Sequence, residues 1–180
     1  MTETVNVAVL ECTADHTGII VYMHRFLQVV GKVLFFCAWP AYWVYHRVVP
    51  GRTRVVLLYG GKVLVMKQWI SDGAWTLPGG GLHKGEDATD GAVREVFEET
   101  GVRLKVDRLW PLGKATNRQY GQQFDYFMFA VAVSSLKTRA QWYEVAELAW
   151  MRPEDLNKTN SSPDTLNTLR AVRTKTSLLQ

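Results

Sequence analysis

The chain has 180 residues, 47% of them apolar and 21% charged, which excludes a disordered tail and allows one domain with a sizeable core. Its two cysteines, Cys12 and Cys37, are too few for a disulfide scaffold or a structural zinc site. A net charge of +4 permits contact with phosphates or an anionic surface and requires neither.

The N-terminal part stands apart. Residues 1–50 hold three basic and three acidic side chains, so the whole +4 belongs to residues 51–180. Residues 1–17 read as an extension and residues 18–48 as an apolar, aromatic-rich helix. Its uncharged run from Val33 to Tyr45 is short for a full span. A longer span from Ile19 to Tyr45 would put Lys32 near its midpoint, at about 2.5–3.5 kcal/mol, and Pro40 would kink it. In favour of a membrane stand Trp39, Tyr42, Trp43 and Tyr45 at one end, followed at once by Arg47, Arg52 and Arg54. These features favour a membrane-facing helix, with the C-terminal part in the cytoplasm, over an amphipathic helix packed on its own domain. The acidic N-terminus and the lack of a small-residue cleavage site argue against a signal peptide.

From residue 51 the pattern becomes α/β. Arg54–Tyr59 and Lys62–Met66 predict two strands joined by a Gly60-Gly61 hairpin. A glycine-rich loop runs from Gly73 to Gly85, and a helix is expected from Asp87 to Thr100, stopped by Gly101. Further strands are expected at Val102–Val106, Phe124–Val133 and Glu147–Met151. Pro153-Glu154-Asp155 and Ser162-Pro163-Asp164 read as helix starts.

The first of these helices carries the chemistry. Ala92, Val93, Val96 and Phe97 form an apolar stripe, and Glu95, Glu98 and Glu99 stand at i, i+3 and i+4 on the neighbouring face. Such like charges repel by about 0.2–0.5 kcal/mol per pair on an exposed helix. A hard divalent cation, Mg²⁺ or Mn²⁺, would reverse that penalty. Taken alone, the triad reads more readily as a solvated acidic face.

The surrounding residues change that reading. Gly80, Glu86, Arg94, Glu95, Val96, Glu98, Glu99, Gly101 and Val102 fit the pattern Gly-x5-Glu-x7-Arg-Glu-U-x-Glu-Glu-x-Gly-U, with U aliphatic, at every position. Seven fixed residues coincide by chance on the order of 10⁻⁹ per start site. The chain therefore resembles the Nudix hydrolases, closely over residues 80–102 and loosely over 54–156. The resemblance implies a Nudix-type α/β/α sandwich with a mixed sheet, built from residues 51–180. It implies Mg²⁺- or Mn²⁺-dependent hydrolysis of the pyrophosphate bond in a nucleoside diphosphate linked to another group. It further implies Glu95, Glu98, Glu99 and the carbonyl of Gly79 as metal ligands, Glu86 in support, and Arg94 paired with a box glutamate. Glu98 is the first choice for the general base, with Glu144 and Glu147 as weaker choices outside the box. His83 reads as a solvated loop residue.

Substrate choice lies outside the box. Trp69, Trp75, Tyr120, Phe124, Tyr126 and Trp142 could stack a base, and Lys114 and Arg118 could touch phosphate, against defaults of core and solvated surface. The expected partner is a small-molecule nucleotide, with no specific nucleic acid. Two other classes stay open: a catalytically silent module sensing a nucleotide or RNA, and a membrane-tethered hydrolase of a lipid-linked diphosphate. The intact glutamates argue against the first.

Overall fold

The computed structural model describes residues 3–5, 51–69, 71–119, 122–141 and 143–177. The expected N-terminal helix over 18–48, and with it the membrane reading, lies outside the described residues. Among the described residues no helix is long and apolar enough to cross a membrane.

Six strands form one sheet: β1 (Glu3–Val5), β2 (Arg52–Tyr59), β3 (Lys62–Gln68), β4 (Trp110–Gln119), β5 (Gln122–Ala132) and β6 (Val145–Met151). Their order is β1-β6-β3-β2-β5-β4, with β2 and β5 parallel and the other neighbours antiparallel, so the sheet is mixed. Among the described residues two α-helices pack on this sheet, α1 (Ala88–Thr100) and α2 (Pro163–Ser177). The β2–β3 turn is Gly60-Gly61 with φ of 54° and 76°, the two positive values that a tight two-residue hairpin requires.

The central strands read as continuous apolar runs because both faces of the sheet are covered. Val55, Leu57, Leu64, Met66, Phe129 and Trp150 pack with Ala92 and Val96 of α1. Val56, Val63, Val65, Tyr126, Met128 and Met151 pack with Leu169 of α2 on the other side. The result is the expected α/β/α sandwich. Asp87 caps α1 by accepting the N–H of Thr89 at 2.8 Å, and Gly101 ends it with φ 69°.

Two local expectations are corrected and one unforeseen strand is added. Residues 102–105 form no strand and lead into a 3₁₀ turn at Val106–Arg108. Val102 and Leu104 instead pack on the α1-side core, so their alternation reflects packing without a ladder. Strand β4 escapes sequence reading because Pro111 and Gly113 interrupt it. It is an edge strand with a bulge between those residues, where proline is tolerated. Phe97 lies outside the buried stripe of α1, exposed, with the Arg103 guanidinium 4.6 Å from its ring centre.

Candidate active site

The glycine loop is laid along β2. The N–H groups of Thr53 and Val55 donate to the carbonyls of Gly80 and Pro78 at 2.8 and 2.9 Å, and that of Leu82 donates to Gly51 at 2.9 Å. This close approach dictates the residue type. Gly79 has φ 132°, and a β-carbon there would sit 2.4 Å from the Thr53 carbonyl oxygen. A β-carbon on Gly80 would sit 2.5 Å from Oε2 of Glu95.

The three helix glutamates do not share one solvated face. Glu99 is 1% exposed and accepts the N–H of Gly79 at 2.7 Å. Burial pushes its carboxyl up to about 8, with the charges of Glu95 and Glu144 adding to it and Gly79 and Arg54 opposing. Glu95 is also raised, by burial first and then by Glu98 and Glu144, against the pull of Arg94. Glu98 turns outward, its side chain 46% exposed. A helix turn of 100° per residue thus points Glu95 and Glu99 inward and leaves Glu98 at the rim.

Glu144 joins this group from a distant loop. Main-chain bonds from Arg139 to Thr100 (2.8 Å) and from Gln141 to Glu99 (3.2 Å) tie that loop to the end of α1. The Trp69 N–H donates to the Glu144 carbonyl at 3.1 Å. Glu144 as a whole stays exposed, but the partial loss of water around its carboxyl, and then the charge of Glu98, push that carboxyl above its ordinary value. Glu147, by contrast, pairs with Lys67 at 3.0 Å.

Arg94 organises the near side of the cluster. Its Nε and Nη2 donate to the two oxygens of Glu86 at 2.8 and 2.9 Å, and Nη2 also reaches the Gly81 carbonyl at 2.9 Å. Nη1 donates to Glu95 at 2.8 Å and to Glu98 at 3.1 Å, the latter an i, i+4 pair, so Arg94 does pair with box glutamates. The Arg94 hydrogen bonds hold Glu86 down at about 2, helped by the His83 N–H at 2.8 Å. The His83 ring itself is exposed, 3.9 Å from Glu86.

Two residues of the site were read from sequence only as a strand residue and a helix opener. Arg54 of β2 pairs with Asp164 of α2, Nε to Oδ2 at 2.5 Å. Its Nη1 donates to the carbonyls of Thr53, at 3.1 Å, and Gly79. The sequence signal is slight: Arg54 is one of two arginines, with Arg52, at the polar start of a strand whose later residues are mostly apolar. The aromatic candidates divide. Trp75 and Tyr126 are buried in the core, with Lys67 4.2 Å from the Trp75 ring centre. Phe124 carries the Arg52 guanidinium 4.5 Å from its ring centre, and Lys114 pairs with Asp125 at 2.7 Å. Tyr120, Trp142 and the side chain of Arg118 lie outside the described structure.

The donor set fits a hard divalent cation. Glu95, Glu98, Glu99 and Glu144 are hard oxygen donors, and the carboxyls of Glu95, Glu99 and Glu144 are raised first by burial and then by neighbouring carboxylate charge. A cation relieves that repulsion. Among the described residues, no three acidic, His or Cys side chains converge as a ready coordination sphere. Arg94 bridges Glu95 and Glu98 in this arrangement.

The NUDIX domain model matches residues 49–172, and the chain belongs to the Nudix hydrolase family. Members of that family are enzymes acting on phosphoanhydride bonds. The chain is similar to Nudix hydrolase 2 of Arabidopsis thaliana, 32% identical over 114 residues, which cover 61% of this chain. It spans only 40% of that relative's length. An uncharacterized Nudix hydrolase of Pseudomonas aeruginosa is 33% identical over 131 residues, 68% of this chain and 76% of that protein. Among solved structures, a MutT Nudix hydrolase from Burkholderia pseudomallei superposes with a TM-score of 0.62 at 22% identity, covering 68% of this chain and 97% of that one. That likeness bears on the fold.

Proposed function

We propose that the chain is a Mg²⁺- or Mn²⁺-dependent pyrophosphohydrolase that cuts the phosphoanhydride bond of a nucleoside diphosphate linked to another group. The observation that carries this reading is the hydrogen-bonded frame at the glycine turn, in which Arg94 holds Glu86, Glu95 and Glu98 together and Glu99 accepts the Gly79 N–H. Glu95, Glu98, Glu99 and the Gly79 carbonyl are the residues that would hold the cation. Its chemistry there is to offset the negative charge of the diphosphate and align it.

The chain's own groups do the rest. Arg94 fixes the carboxylates of Glu86 and Glu95, which keeps their oxygens from rotating during the reaction. Glu98, at the solvent rim, takes the proton of the attacking water on a carboxylate oxygen. Glu144 supports a second reading of the base, since its raised proton affinity beside Glu98 suits proton transfer. The family match over 49–172 supports drawing the hydrolase domain over residues 51–180, after the extension and the apolar segment.

The test is a panel of nucleoside triphosphates, ADP-ribose, dinucleoside polyphosphates and prenyl diphosphates, with and without Mg²⁺. Cation-dependent release of phosphate or nucleotide from at least one nucleotide is the expected result. Tight nucleotide binding without turnover of any compound would replace this reading with a sensor. Turnover of prenyl diphosphates alone would replace it with a lipid-linked substrate.

A further inference from the structure

We infer that the Arg54–Asp164 ion pair is a positioning device that sets the main-chain carbonyl of Gly79, acting on the candidate cation site through the first turn of α2. This rests on the proposed role of the Gly79 carbonyl as a cation ligand.

The two peptides flanking Gly79 are held by different partners. The N–H donates to Glu99 at 2.7 Å, and the carbonyl accepts from Arg54. A glycine at φ 132° has no side chain to fix its orientation, so these polar contacts set where the carbonyl points. The Arg54 side chain is 11% exposed and that of Asp164 6%. A guanidinium this deep needs a carboxylate, and Asp164 supplies it from the first turn of α2, where the helix end favours negative charge. Burial works against the charge on Asp164, but Arg54 and Ser162 outweigh it and keep the carboxyl below its ordinary value.

The start of α2 is also stitched to the chain that leads into the turn. The Leu77 N–H donates to Thr165 Oγ1 at 3.1 Å, the Ser162 N–H to the Trp75 carbonyl at 3.0 Å, and the Trp75 N–H to Asn160 at 2.7 Å. Arg54, Asp164 and the residues before Gly79 are therefore one braced unit. Burial stability alone does not call for a charged pair here. On the same face of β2, Val56 is purely apolar, and matched apolar pairs commonly replace buried ion pairs at no loss.

That equivalence supplies the test. The full chain and its Arg54→Met/Asp164→Leu double variant are titrated with Mn²⁺, following the free-ion paramagnetic resonance signal, and both are melted without cation. The double variant is expected to melt close to wild type and to bind Mn²⁺ about tenfold more weakly, the scale of outer-shell effects on metal affinity. The Mg²⁺ concentration for half-maximal turnover should rise in step. A folded double variant that binds Mn²⁺ within about twofold of wild type overturns the inference. Arg54→Lys gives the same reading should the double variant fail to fold: weaker Mn²⁺ binding supports positioning, unchanged binding refutes it. A different result, wild-type Mn²⁺ binding unaffected by Glu98→Gln and Glu99→Gln, would remove the cation site itself.

Discussion

Arg94 grips Glu86 with two parallel hydrogen bonds, Nε to Oε1 at 2.8 Å and Nη2 to Oε2 at 2.9 Å. A lysine is a point charge and cannot form that fork. Arg94→Lys should therefore destabilise the chain by about 1–3 kcal/mol in urea unfolding, the scale of charge-assisted hydrogen bonds. It should lower kcat more than it raises KM, because the loosened groups are the carboxylates and not the substrate site. The pH dependence has a definite sign. Glu86 falls from an ordinary 4.5 to about 2 on folding, so its contribution is complete above about pH 4.5 and is lost as pH falls toward 2. In the lysine variant the folded-state value should lie nearer 4.5, so the acid loss should be smaller and finish at higher pH. An unchanged acid limb would show that the fork does not govern Glu86.

Glu99 titrates with the opposite sign. Burial raises its carboxyl from 4.5 to about 8, so the folded state keeps a proton that the unfolded state releases. Without cation, stability should decline as pH rises from about 4.5 to 8 and level off above, by on the order of a few kcal/mol in total. Mg²⁺ should flatten the decline by binding the ionised form. Glu99→Gln should remove the larger part of the decline and weaken the Mg²⁺ response, since Gln keeps an acceptor for the Gly79 N–H and carries no charge, while the raised Glu95 and Glu144 leave a smaller decline. Melting curves in chelator and in Mg²⁺ at pH 5, 6, 7 and 8 measure both. A variant whose decline from pH 5 to 8 matches that of the wild type would assign the effect elsewhere.

These two residues also show what the sequence could and could not convey. The spacing of Glu86, Arg94, Glu95, Glu98 and Glu99 is local, so one helix and its leading loop carry it in legible form. Which of those glutamates is buried is not local. It follows from the glycine loop lying along β2, which brings the Gly79 N–H to Glu99. Strands β2, β3, β5 and β6 are legible because apolar runs survive wherever both faces are covered. Strand β4 is not, because an edge strand tolerates the proline, the glycine and the polar residues that mask it. Arg54 and Asp164 are 110 positions apart, and Glu144 is tied to α1 through main-chain bonds of its loop. Contacts of that range leave no periodic trace in either segment.

The choice of base is decided by a pair of variants. Glu98→Gln should lower kcat by about 10²–10⁴-fold at saturating substrate and cation, the usual worth of general-base catalysis. Glu144→Gln should cost less than about tenfold if Glu144 only adjusts the charge around Glu98. A larger loss at Glu144, with Glu98→Gln mildly affected, would transfer the proton-accepting role to the loop. Retained melting temperatures in both variants are needed for either reading.

Gly91 makes a prediction against the usual rule. A glycine inside a helix costs about 1 kcal/mol relative to alanine, so Gly→Ala in α1 would ordinarily stabilise. Here a β-carbon would sit 2.3 Å from Leu82 Cδ2 and 3.1 Å from Glu86 Oε2. Leu82 is buried, and Glu86 is fixed by Arg94 and His83, so neither can retreat without losing a partner or its packing. Gly91→Ala should therefore destabilise by about 1–3 kcal/mol, the usual cost of overpacking. The strain falls on the loop that carries Glu86, so the acid limb set by that residue should move as well. Gly91→Ala/Leu82→Ala should recover the overpacking part while adding the cost of a cavity at residue 82. A Gly91→Ala variant more stable than wild type would mean that Leu82 and the glycine loop are free to shift, and the rigid seat proposed for the carboxylates would have to be abandoned.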